Sequence, residues 1–140
     1  MIDCLIIGDS IAVGVKRFRP ECVDYAKGGI TSTGWNKQYG NMDMKASTVI
    51  ISLGTNDWVK ADTYGMLMNI RTKVKGAAKV YWVEPNIESK PLIADQIRKI
   101  AAQFGDTVLP TTRWQKDKIH PSWEGYKVLA ERTKGYLLLS

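Results

Sequence analysis

His120 is the only histidine in the chain. It closes the run Asp117-Lys118-Ile119-His120. An imidazole is the side chain best suited to exchange a proton near neutral pH. A carboxylate three residues earlier on a turn can accept from one ring nitrogen, fix the tautomer and steady the imidazolium. A surface histidine beside an unrelated aspartate fits the same four residues. Ser10 follows an apolar run and Gly8. There its hydroxyl sits at the rim of a sheet, near amides that favour negative charge, and could serve as a nucleophile. A serine that merely caps a helix would look the same. The surroundings are not the G-x-S-x-G nucleophile elbow, because Ala12 stands where the second glycine belongs. Acyl transfer also needs donors for a developing oxyanion. Gly29 offers an unobstructed backbone amide, and Asn56, in Gly54-Thr55-Asn56-Asp57, offers a side-chain amide. Asn and Asp also stabilise such turns by themselves.

Each run is weak alone, but their order along the chain is specific. Gly8-Asp9-Ser10-Ile11, Gly29-Ile30-Thr31, Gly54-Thr55-Asn56-Asp57 and Asp117-Lys118-Ile119-His120 occur in that sequence. Over nearly its whole length the chain resembles the SGNH hydrolases, also called GDSL-type esterases. Ile11 replaces the leucine of many members, Gly28 competes with Gly29 as the second-block glycine, and Pro121-Ser122 and Gly125-Tyr126 continue the last block.

The resemblance implies an α/β protein: a three-layer α/β/α sandwich, flavodoxin-like, with five parallel strands. It implies Ser10 as nucleophile, His120 as base and then acid, and Asp117 as its orienting carboxylate. The Ser10 amide, the Gly29 amide and the Asn56 side chain would form the oxyanion hole. The reaction would pass through an acyl-enzyme, with no metal and no organic cofactor. With one histidine and no cysteine pair at ligand spacing, the sequence offers no metal site either.

At 140 residues the chain is shorter than typical members, so the pocket should be shallow and open. A short acyl group is then expected, foremost O-acetyl on carbohydrate. The alternatives are a general short-chain esterase or thioesterase, a lysophospholipase-like acyl hydrolase, or a non-catalytic carbohydrate-binding relic. Trp35, Trp58 and Trp114 lie close in sequence to the blocks and are candidate substrate contacts. At least three of the five tryptophans are expected to fill the core.

Positioning these groups requires a sheet. Cys4–Ile7, Thr48–Leu53 and Lys79–Val83 read as buried parallel strands, and Cys22–Tyr25 and Thr107–Leu109 as weaker ones. Helices alternate with them. One starts near Ser89 and Pro91, with Ile93, Ile97, Ile100 and Phe104 on one face and Gly105 closing it. Another is capped by Asp62, with Leu67, Ile70 and Val74 inward. A last helix follows Pro121, with Trp123, Tyr126, Ala130 and Leu137 inward. Alternation of this kind gives a parallel sheet with helices on both faces, and ligands then bind beyond the carboxyl ends of the strands.

The composition suits one soluble domain, 1–140, with 44% hydrophobic and 24% charged residues. The net charge of +6 admits an acidic partner, but the basic residues do not cluster. No nucleic-acid partner is therefore expected. No leader or membrane-spanning run is legible near Asp3 or elsewhere, so membrane insertion is not expected and a cytoplasmic location is favoured. Cys4 and Cys22 read as two buried free thiols in a reducing compartment; side-by-side strands would also allow a disulfide. The apolar segment Tyr136 to Leu139 could dock on the sheet or make a subunit contact.

Overall fold

The computed structural model describes residues 1–135. It is an α/β protein with one sheet of five parallel strands and five helices in strict alternation. The strands are β1 (Ile2–Gly8), β2 (Val23–Ala26), β3 (Ala46–Ser52), β4 (Lys79–Glu84) and β5 (Thr107–Pro110). The helices are α1 (Ser10–Phe18), α2 (Ser32–Tyr39), α3 (Thr63–Lys73), α4 (Pro91–Phe104) and α5 (Trp123–Arg132). All five sequence-expected strands occur where they were read. The β-branched and apolar runs of β1, β3 and β4 are buried on both faces, as a doubly covered sheet demands, while β2 and β5, at its edges, are more exposed.

Side-chain alternation along the strands divides the interior into two cores. Leu5, Ile7, Val49, Ile51 and Trp82 pack with Trp35, Leu67, Ile70, Ile97 and Ile100 from α2, α3 and α4. Cys4, Ile6, Ile50, Tyr81 and Val83 pack with Ile11, Val15, Tyr126 and Leu129 from α1 and α5. Helices therefore cover both faces, compatible with a three-layer α/β/α fold. The strand order is β2-β1-β3-β4-β5. Connections leave β1 toward one side of the sheet and β3 toward the other. The crevice between their carboxyl ends is where such sheets bind ligands.

The helix signals held in part. Asp62 caps α3 by accepting the Gly65 N–H at 3.0 Å, and Gly105 ends α4 in the left-handed conformation. Lys90, not Ser89, precedes α4, and it makes no side-chain cap. Trp123 is exposed rather than inward, lying edge-on against Phe18 at 4.8 Å between ring centroids. Its place at the first turn of α5 puts it beyond the sheet. The short α2 carries Trp35 as its one buried apolar side chain, which is why no periodic signal marked it. Leu137 and the segment Tyr136 to Leu139 lie outside the described residues.

The cysteines correct the expectation of free thiols. Leu5 lies opposite Val23 in the β1–β2 ladder, so Cys4 falls beside Cys22 on the same face. Their Cα atoms are 4.7 Å apart and the sulfurs are bonded. Adjacent parallel strands supply the separation a disulfide needs, and the sequence alone could not fix that register.

Candidate active site

Ser10 is the first residue of α1, and Asp9 is the residue that caps it, accepting the Ile11 N–H at 3.0 Å. Because Asp9 does the capping, the Ser10 hydroxyl is left available. The turn from β1 into α1 demands glycine at position 8. A Cβ there would lie 1.9 Å from the Ser52 carbonyl oxygen, and φ is +152°. Asp9 is fully buried, its Oδ1 also accepts from the Ser52 hydroxyl at 3.4 Å, and its Oδ2 has no partner. Burial pushes this carboxyl up to about 6, against the smaller opposing pull of its backbone hydrogen bonds.

The loop after β5 crosses the sheet and brings His120 onto Ser10. Ser10 Oγ and His120 Nε2 are 3.0 Å apart. His120 Nδ1 lies 2.7 Å from Asp117 Oδ2. An ionised carboxylate can only accept, so Nδ1 carries the proton, and the neutral ring then accepts the Ser10 O–H at Nε2. The other Asp117 oxygen accepts the N–H groups of Ile119 and His120 at 2.9 and 3.0 Å. The His120 contact and these amides hold the Asp117 carboxyl down at about 2. The three groups thus form a continuous relay that can take a proton from the hydroxyl and return it. Both partners are open to solvent, with about two-fifths of each side chain exposed.

Candidate donors lie on the neighbouring loops at the carboxyl ends of β1, β2 and β3. Gly28 and Gly29 are exposed on the connection after β2, and a Cβ on Gly28 would come within 4.0 Å of the Ser10 Cβ. Gly29 holds a φ of +77° in open space, a conformation that glycine adopts without strain. Among the described residues, the amides of Ser10, Gly28 and Gly29 have no acceptor within the protein. The Asn56 side chain donates one N–H to the Ile30 carbonyl at 3.2 Å, which leaves its second N–H free. Ser10 and Asn56 follow β1 and β3, the two strands flanking the crevice. Such a set of fixed donors can stabilise an oxyanion.

Asp57, adjacent to Asn56, ties these loops together. It accepts the Ser32 N–H at 2.7 Å, the Ser32 hydroxyl and the Thr63 hydroxyl at 2.6 Å. It thereby links the start of α2 to the start of α3. Sequence reasoning gave it no role, although its place in the Gly54–Asp57 block was the available signal.

The three candidate tryptophans part company. Trp35 is fully buried and donates its ring N–H to the Tyr25 carbonyl at 2.8 Å. It is a core residue, and the expectation that it contacts substrate is corrected. Trp58 is 68% exposed. With Val59, Leu92 and Ile93 it lines a groove of about 210 Å³ that reaches Asp57. Trp114 is half-buried and bridges to Pro121 on the His120 loop. Two tryptophans, Trp35 and Trp82, fill the core, not three. Trp58 and Trp114 lie on loops that follow β3 and β5, and Trp123 opens α5.

No known protein family and no curated protein matches this sequence. The site's chemistry therefore rests on its own geometry. Among the described residues no three His, Cys, Asp or Glu side chains converge as metal ligands. No helix of the described residues is long and apolar enough to cross a membrane.

Proposed function

We propose that the chain is a serine esterase of the SGNH/GDSL type, with the flavodoxin-like architecture of that family. It hydrolyses short-chain carboxylic esters, foremost O-acetyl groups on carbohydrate. The observation that supports this best is the relay from Ser10 Oγ to His120 Nε2 at 3.0 Å and from His120 Nδ1 to Asp117 at 2.7 Å. His120 takes the Ser10 proton as Oγ attacks the ester carbonyl. The oxyanion collects the amides of Ser10 and Gly29, with Gly28 the competing neighbour, and the Asn56 side chain. His120 returns its proton to the departing alcohol, leaving an acyl group on Oγ. Water, deprotonated by His120, then releases the acid and restores the serine. A fluorophosphonate probe tests this directly. Labelling of the wild type but not of Ser10→Ala is expected, together with turnover of p-nitrophenyl acetate. An unlabelled, inert wild type would end the reading.

A second reading is favoured by the groove that reaches Asp57. Trp58, Val59 and Leu92 are exposed apolar side chains lining it, and such a cleft suits a longer aliphatic acyl group or a thioester. Acetylated sugars assayed against acyl esters and thioesters of graded length separate the two. A rise in kcat/KM with chain length that Trp58→Ala abolishes would favour the longer acyl group. Fastest turnover on acetylated sugar favours the first reading.

A further inference from the structure

We propose that Asn86, at the carboxyl end of β4, is a positioning residue that holds the Asp117–His120 turn over Ser10. This inference rests on the hydrolase reading for its kinetic meaning. The fold imposes a distance between the segments that carry His120 and Ser10. The loop carrying His120 leaves β5, whereas Ser10 follows β1, and β4 and β3 lie between them. Three strand spacings amount to about 14 Å. The loop must therefore cross the ends of two strands. It is mostly exposed, and its own ties, the Trp114–Pro121 bridge and the Gln115 N–H to the His120 carbonyl at 2.8 Å, close it on itself rather than onto the strand ends it crosses.

Lys118 is the bend that makes the crossing end correctly. Among the described residues it is the only non-glycine at positive φ, at 55°. It lies between the two partners, and its turn lets Asp117 accept from the Ile119 and His120 amides and from the His120 ring at once. A lysine does not adopt this conformation by preference. The structure pins it from both sides. Its N–H donates to the Gln115 carbonyl at 2.9 Å. Its carbonyl accepts from the Asn86 side chain at 2.9 Å and, more loosely, from the Ser89 hydroxyl at 3.3 Å.

Asn86 is itself rigidly held. Its Oδ1 accepts the Glu88 N–H at 2.9 Å and its carbonyl accepts the Lys90 N–H at 2.8 Å. The bracket therefore runs from the end of a central strand, through one side-chain amide, to the strained peptide between the carboxylate and the imidazole. Asn86 acts on the chemistry only through that peptide.

Steady-state kinetics on p-nitrophenyl acetate test this. Asn86→Ala should lower kcat by about 10²-fold, the usual cost of a misplacement near 1 Å, with KM unchanged. Asn86→Asp keeps the shape and the bond from Glu88 but loses the donor, so it should fall similarly. It decides the matter if the alanine variant does not fold. In an Asp117→Ala background the further loss on Asn86→Ala should vanish, because the two act through one arrangement. Losses that multiply instead, or an Asn86 variant within threefold of wild type, overturn the inference while leaving the esterase reading intact. The downfield NMR signal of the His120 Nδ1 proton gives a readout independent of turnover. It should survive in Ser10→Ala and disappear in both Asn86 variants. Its persistence in them overturns the inference even if the wild type proves inert as an esterase.

Discussion

Replacing Asn56 by alanine isolates the side-chain donor of the oxyanion site. Among the described residues its side chain makes one hydrogen bond, from its amide to the Ile30 carbonyl at 3.2 Å, and the residue is exposed. Removing a single neutral hydrogen bond at an exposed position should cost the fold about 1 kcal/mol or less. The kinetic cost is larger, because the free N–H meets charge only as the tetrahedral intermediate forms. Loss of one such donor is worth about 2.7–4 kcal/mol, or about 10²–10³ in kcat. The Ser10 and glycine amides remain, so activity should be reduced rather than abolished. KM should hardly move, since the interaction is absent from the ground state. Asn56→Asp should be slower still, for it sets a carboxylate against the oxyanion. The assay is kcat and KM on p-nitrophenyl acetate with Tm measured in parallel. Turnover by Asn56→Ala within threefold of wild type, or a loss confined to KM, would refute the assignment of Asn56 as an oxyanion donor.

Asp9 should make stability fall with rising pH. Its carboxyl is lifted from 3.8 to about 6 by burial, so the fold prefers it protonated. That contribution is complete below pH 3.8 and is lost as pH rises through about 6; it amounts to about 3 kcal/mol. Urea denaturation of Asp9→Asn should therefore gain on wild type by about that much between pH 4 and pH 7, and parallel curves would contradict the burial argument. Asp117 should behave oppositely. Its carboxyl is held at about 2, so its contact with His120 is present above pH 3.8 and lost only as pH falls through about 2; a carboxyl NMR titration with a midpoint of 4 or higher would oppose this. The Cys4–Cys22 bond closes a loop with a sequence separation of 18, for which the chain-entropy view gives about 3 kcal/mol. The double serine variant should melt well below the oxidised protein, and denatured wild type should show no free thiol.

Much of the architecture was legible because it depends on local pattern. Continuous apolar runs stopped by Gly or Pro at 4–7, 48–53 and 79–83 read as strands covered on both faces, because they are short and rich in β-branched or aromatic residues. Asp62 and Gly105 announced helix ends because capping is a local hydrogen-bonding requirement. The residues of the relay were legible too, since a sole histidine admits one identity for the base. The 3.0 Å approach of Ser10 to His120 joins positions 110 residues apart. It exists because β1 lies inside the sheet while the β5 loop folds back over its rim, a matter of strand order that local pattern does not encode.

Other features depended wholly on packing. Trp35 and Trp58 each lie close in sequence to a motif block, yet one fills the core and the other stands in solvent. The difference lies in which side of a helix or loop meets the sheet. Cys4 and Cys22 became a disulfide through the register of β1 on β2. The role of Asn86 emerged only when two loops from different strands met at the Lys118 carbonyl. The sequence by itself thus determined the kinds of elements and the stock of reactive groups, because those follow from composition and short-range periodicity. Tertiary structure decided which groups face one another, because contact between distant residues depends on strand order and register, properties of the whole chain.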